Sequence, residues 1–232
     1  MTAPALPSPG FADPARDAQR AFRAVLDALA HPARPYPVAG PAEPPAALGR
    51  GLAAVALTLL DEDCAVWLGG ALGRDAEVAA WLAFHTGARR ADHYGAADFV
   101  VTSPDALPPL ASLALGTDEA PHLSATVVLD IADSADSTRA NSTGANSTGA
   151  SPAGTGPAGT GPAGGTVPAR FTAQGPGIDG SATLAAPWAP VGFAAAWQRN
   201  TDIFPRGVDV LLVDSGTVTG LPRTTLLTEV EL

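Results

Sequence analysis

The stretch Val208-Asp209-Val210-Leu211-Leu212-Val213-Asp214-Ser215-Gly216-Thr217-Val218-Thr219-Gly220-Leu221 decides how this chain is read. An apolar run, Val208 to Val213, meets the turn formers Asp214-Ser215-Gly216 and returns through Thr217 to Leu221, which predicts a β-hairpin. Working outward, helical patterns alternate with strand-like runs. Asp13-Pro14 reads as an N-cap followed by a first helical residue. Phe22, Val25, Leu26 and Leu29 then recur at i, i+3, i+4 and i+7, predicting an amphipathic helix that ends near His31-Pro32. Leu52 to Leu60 is read as helix, stopped at Asp61-Glu62-Asp63 before a short strand at Ala65 to Leu68. Val78, Trp81, Leu82 and His85 share one face of a helix that opens near Asp75 and closes at Gly87. Phe99-Val100-Val101 and Ala125 to Ile131 are strand-like, and Phe193 and Trp197 stand at i and i+4 of a last helix. The alternation predicts an α/β protein.

At 232 residues the chain is long for one domain and short for two, since domains cluster near roughly 100–150 residues. The expectation is one α/β domain over 1–232. Between Ser134 and Pro168 the composition collapses to Ser, Thr, Gly, Ala, Asn and Pro, with tandem NSTGA and GTGPA copies. Such a segment has little to bury, so 134–168 is expected to be a disordered loop. The strands on either side, ending at Ile131 and starting at Arg170, are expected to pair as a hairpin that carries it. Asn141 and Asn146 begin N-x-T sequons, but the N-terminus lacks the charged and apolar regions of a signal peptide, so glycosylation is not expected.

All 13 basic residues are Arg. Without Lys there is no Schiff base for pyridoxal phosphate, no Walker A lysine and no aldolase-type amine, so no cofactor of that kind is expected. The formal net charge of −10 disfavours nucleic acid and anionic membrane surfaces. The single Cys64 excludes an internal disulfide and multi-thiolate zinc sites. Together with the absence of a membrane-length apolar run, it leads to the expectation of a cytoplasmic protein.

Candidate chemistry is sparse. His85 extends an apolar helix stripe to a helix C-terminus, where the dipole favours its cation; it is either a packed, capping histidine or an acid–base group. His31, His93 and His122 form no ligand pair. Asp61-Glu62-Asp63 is either a solvated helix end or a Mg²⁺ site, and no metal site is argued. No GxSxG, HExxH or glycine-rich phosphate loop occurs, and Gly175-Pro176-Gly177 reads as a turn.

Short motifs in order carry a resemblance: FRAVLDAL from Phe22, LTLLDED and VWL from Leu57, FHTGA from Phe84 and LGTDEAPHLSATVVL from Leu115. FTAQGPGI from Phe171, FPRGVDVLLV from Phe204 and LPRTT from Leu221 complete it. Together they resemble the H subunit of the bacterial carbon–phosphorus lyase core complex. The resemblance implies a subunit that assembles with G, I and J subunits in forming α-D-ribose 1-alkylphosphonate 5-triphosphate from ATP and an alkylphosphonate, with release of adenine. It also implies homodimers in isolation. The fold it implies is a three-layer mixed sheet similar to the large domain of pyridoxal-phosphate aminotransferases, without the cofactor site. Two departures stand out: Pro32-Ala33, where the family often has Pro-Gly, and the long 134–168 segment.

The LPRTT motif supplies the remaining candidates, Arg223, Thr224 and Thr225. Pro222 removes a donor, so the backbone is expected to leave regular pairing and present Arg223 from an edge. That guanidinium either pairs with a carboxylate, Asp209 on the neighbouring strand being one candidate, or contacts a phosphate or a partner's carboxylate. Two functions follow. One is a non-catalytic or site-completing subunit of a transferase complex. The other is a stand-alone nucleotide-binding phosphate- or ribosyl-transfer enzyme in which Arg223 and Arg206 hold phosphates and His85 moves a proton.

Overall fold

The computed structural model describes residues 6–132 and 170–230. The 134–168 repeat lies outside the described residues. The first helix, α1 (Pro14–Ala30), begins where Asp13 accepts from the backbone N–H of Arg16 at 3.2 Å, with Pro14 at its first position. Strand β1 (Pro35–Pro37) follows, then α2 (Gly49–Leu59), β2 (Ala65–Leu68), α3 (Gly70–Arg74) and α4 (Ala76–Thr86). Asp75 Oδ1 caps α4 by accepting from the N–H groups of Glu77 and Val78, and Gly87 ends it at φ 72°. Strands β3 (Arg89–Arg90), β4 (Phe99–Thr102) and β5 (Thr126–Asp130) complete the first described segment. The second contains β6 (Arg170–Gln174), β7 (Ala182–Ala185), α5 (Phe193–Asp202), β8 (Asp209–Val213), β9 (Thr217–Leu221) and β10 (Leu226–Glu229).

Seven strands form one mixed sheet in the order β1-β9-β8-β5-β4-β2-β3. From β3 to β8 all neighbours are parallel, while β9 runs antiparallel to both β8 and β1. The predicted hairpin is β8–β9, with Val213 opposite Val218 across the Asp214-Ser215-Gly216 turn. Strand β8 is buried on both faces, as an interior parallel strand should be. Leu211 and Val213 join the core beneath α1, α2 and α4, whereas Val210 and Leu212 join a second core with Phe193 and Trp197. The outer strand β1 begins and ends with proline, which removes donors from the sheet edge.

A three-stranded antiparallel sheet, β10-β6-β7, packs on the second core, to which it contributes Phe171, Ala173, Leu184 and Leu227. The hairpin expected across 134–168 is therefore not formed. Both edges of β5 are occupied, by β4 and β8, so no edge remains for β6, which pairs with β7 and β10 in the other sheet.

Helix α1 turns a different face inward from the one its large apolar residues predict. Its buried face is Ala21, Ala24, Val25 and Ala28, while Phe22 and Leu26 are 45% and 49% exposed. The cause is close approach to β9: a Cβ on Gly220 would meet the carbonyl oxygen of Ala28 at 2.5 Å. At that separation only small side chains fit between helix and strand, so the alanine stripe turns inward and the larger residues turn out. Among the described residues, no helix is long and apolar enough to cross a membrane.

Candidate functional site

Strand β9 ends in the large sheet and β10 starts in the small one. The four residues between them, Pro222 to Thr225, make the crossing. The turn is closed by the Thr225 N–H donating to the Pro222 carbonyl at 2.8 Å. It carries Arg223 across the N-terminal ends of β5 and β8, where Asp209 is the first residue of β8.

The predicted Arg223–Asp209 pair is present. Arg223 Nη2 donates to Asp209 Oδ2 at 2.6 Å, and Nε donates to Oδ1 at 3.1 Å, a two-pronged contact. The backbone N–H of Arg223 also reaches Oδ1, at 2.7 Å. The rest of the guanidinium is used as well: Nη1 donates to the carbonyls of Pro121 and Pro205 at 3.2 and 3.1 Å, and Nη2 to Ser124 Oγ at 2.6 Å. The side chains of Arg223 and Asp209 are 13% and 27% exposed. One cation thus ties together the loop before β5, the loop before β8 and the crossing between sheets. These acceptors lay beyond sequence reasoning, because a backbone carbonyl has no residue-type signature and Ser124 is 99 positions away.

Its neighbours take different positions. Thr224 lines a shallow cleft of about 370 Å³ with His122, Phe204 and Arg223. Thr225 is fully buried: its carbonyl accepts from Trp197 Nε1 at 2.7 Å, and its hydroxyl has no partner among the described residues. Arg206 Nε lies 3.2 Å from Asp118 Oδ1, in an ion contact exposed on both sides.

His85 does not join this group. It lies on α4, across the large sheet, where its Nε2 is 2.9 Å from the Ser8 carbonyl, which also accepts from Trp81 Nε1 at 2.9 Å. Its ring packs against Trp81 and Phe84, with centroids 4.6 and 5.0 Å away. This geometry ties the segment before α1 to α4, as a packed histidine would. Asp61 accepts from the Cys64 thiol at 3.1 Å and from the Asp63 N–H at 3.0 Å, closing the turn after α2. The thiol hydrogen bond is the main reason its carboxyl is held below the usual range, while burial, chiefly, pushes the Cys64 thiol up. Among the described residues no group of three or more His, Cys, Asp or Glu is placed to hold a metal ion.

A family model described as bacterial phosphonate metabolism protein (PhnH) matches residues 9–228. The chain is also similar to the alpha-D-ribose 1-methylphosphonate 5-triphosphate synthase subunit PhnH of Rhizobium meliloti (strain 1021). The two are 34% identical over 221 residues, which cover 95% of this chain and 94% of that relative.

Proposed function

Because the chain belongs to the bacterial phosphonate metabolism (PhnH) family, we propose that it is a subunit of the synthase that makes α-D-ribose 1-methylphosphonate 5-triphosphate and does not carry out that reaction alone. The observation that carries the second half is the use of Arg223. This residue is the best sequence candidate for a phosphate contact, and its guanidinium is committed to Asp209, Ser124 and two carbonyls of its own chain. A phosphate could be held there only by breaking a part-buried ion pair, which costs several kcal/mol. His85 sits on the opposite side of the sheet, so acid–base chemistry and phosphate binding do not converge.

In this reading Thr224 lies on the surface that the chain offers to its assembly, Arg223, Asp209 and the buried Thr225 hold that surface in shape from beneath, and His85 fixes the segment before α1. The seven-stranded sheet, parallel except at β9, supports a likeness to the large domain of pyridoxal-phosphate aminotransferases. The two cores on either face of that sheet support a single three-layer domain. The partners proposed are the G, I and J subunits, within a cytoplasmic transferase complex, and a second copy when the chain is isolated.

Two measurements on the purified full chain test the proposal. The isolated protein should bind ATP negligibly in equilibrium dialysis, and it should co-purify with tagged G, I and J subunits. Stoichiometric ATP binding and turnover by the chain alone, with no co-purification, would establish the stand-alone enzyme instead.

A further inference from the structure

Between the two sheets, away from Arg223, lies a cleft of about 480 Å³. One wall is the large sheet at the β8–β9 hairpin, with Leu212, Asp214, Thr217 and Thr219. The other is β7 of the small sheet and the turn after it, with Thr183 and Trp188. The volume falls within the range of small-molecule sites, and the combination of mostly apolar walls with a few polar groups is theirs too.

The polar groups define what would fit. The hydroxyls of Thr183, Thr217 and Thr219 make no side-chain hydrogen bond among the described residues, although Thr219 is only 8% exposed. Asp214 keeps one carboxylate oxygen on its own turn, accepting from the Ser215 N–H and hydroxyl at 2.6 and 3.2 Å, and its second oxygen makes no hydrogen bond among the described residues. Among the described residues the lining contains no Arg and no His. In a chain of formal net charge −10, a phosphate or phosphonate placed here would lose water and gain a neighbouring carboxylate. A neutral group bearing N–H donors would instead meet a carboxylate and three hydroxyls. A flat ring would rest against Thr183, Ala185 and Pro187, with only the edges of Trp188 and Leu212, 3% and 1% exposed, beneath it.

We propose that this cleft binds an uncharged, phosphate-free aromatic heterocycle of roughly nucleobase size, its N–H groups directed to Asp214 and the threonine hydroxyls and its ring against the apolar walls. The inference is independent of the subunit reading, since it stands on the cleft and not on the assembly.

Benzimidazole serves as the probe. Saturation-transfer NMR and calorimetry on the full chain should detect it binding at millimolar concentration or below. Inorganic phosphate and methylphosphonate should fail to displace it. Thr219→Val removes one hydroxyl at nearly constant volume and should weaken binding about 3- to 10-fold, the scale of one neutral hydrogen bond. Ala185→Trp, at an exposed position of β7 that lines the cleft, should abolish it while leaving the thermal unfolding curve close to the parent's. The proposal is overturned by absence of saturation transfer to benzimidazole, by displacement with either anion, or by binding that survives both substitutions unchanged. If Ala185→Trp does not fold, Thr219→Val decides alone: unchanged benzimidazole affinity overturns the proposal.

Discussion

Replacing Arg223 by Ala removes five side-chain hydrogen bonds: two to Asp209, two to the carbonyls of Pro121 and Pro205, and one to Ser124. Breaking a buried ion pair by deleting one partner costs about 3–5 kcal/mol, because the other charge is left without compensation. Here Asp209 keeps the backbone N–H of residue 223 and is 27% exposed, so water can reach it. The loss should therefore fall at the low end, about 3 kcal/mol. For a protein of this size, each kcal/mol moves the midpoint by about 2–4 °C, so Tm should fall by about 6–12 °C. Arg223→Lys should recover little, since one ammonium cannot span a carboxylate, a hydroxyl and two carbonyls. The assay is urea and thermal unfolding of the isolated chain, with a double-mutant cycle against Asp209→Asn to isolate the pair. A loss below about 1 kcal/mol, or a coupling near zero, would refute the structural assignment and return Arg223 to a ligand or partner.

Other outcomes follow from equally local geometry. Ala33 is held at φ 64°, where a Cβ costs about 1–2 kcal/mol, so Ala33→Gly should stabilise the chain by up to about 1 kcal/mol after the added freedom of the unfolded state; a loss of stability in urea unfolding would contradict this. Asn200 is 4% exposed and bonds both backbone groups of Val208, so Asn200→Ala should cost about 2–3 kcal/mol by the same measurement. Burial, with the hydrogen bond to Asp61, raises the Cys64 thiol above its ordinary value, so the protonated thiol is favoured in the folded state. Any stability it contributes is present below the unfolded pKa and lost as pH rises through the folded one. Iodoacetamide labelling of the native protein should accordingly remain slower than that of the urea-unfolded chain at pH 8 to 9, and equal rates would remove the argument.

Much of the fold was legible because its signals are short-range. Asp13 and Asp75 as caps, Gly87 as a helix end, and the Asp214-Ser215-Gly216 turn each act on neighbours within a few residues, so sequence order alone locates α1, α4 and the β8–β9 hairpin. The motif matches at Phe84, Phe204 and Leu221 pointed to the family for the same reason: they are contiguous. Strand partners and helix rotation are different, because they depend on which edges and which side-chain sizes meet across long separations. That β6 joins β7 and β10 follows from β4 and β8 having taken both edges of β5, and no local pattern records this. The inward alanine face of α1 follows from Gly220, which lies nearly two hundred positions away and lets the backbones approach too closely for Phe22 or Leu26. Arg223 shows both levels in one residue. Sequence adjacency to Pro222 placed it at a strand end and the hairpin nominated Asp209, but only the folded chain brought Pro121, Ser124 and Pro205 to the same guanidinium, because three distant loops converge where the chain crosses from one sheet to the other.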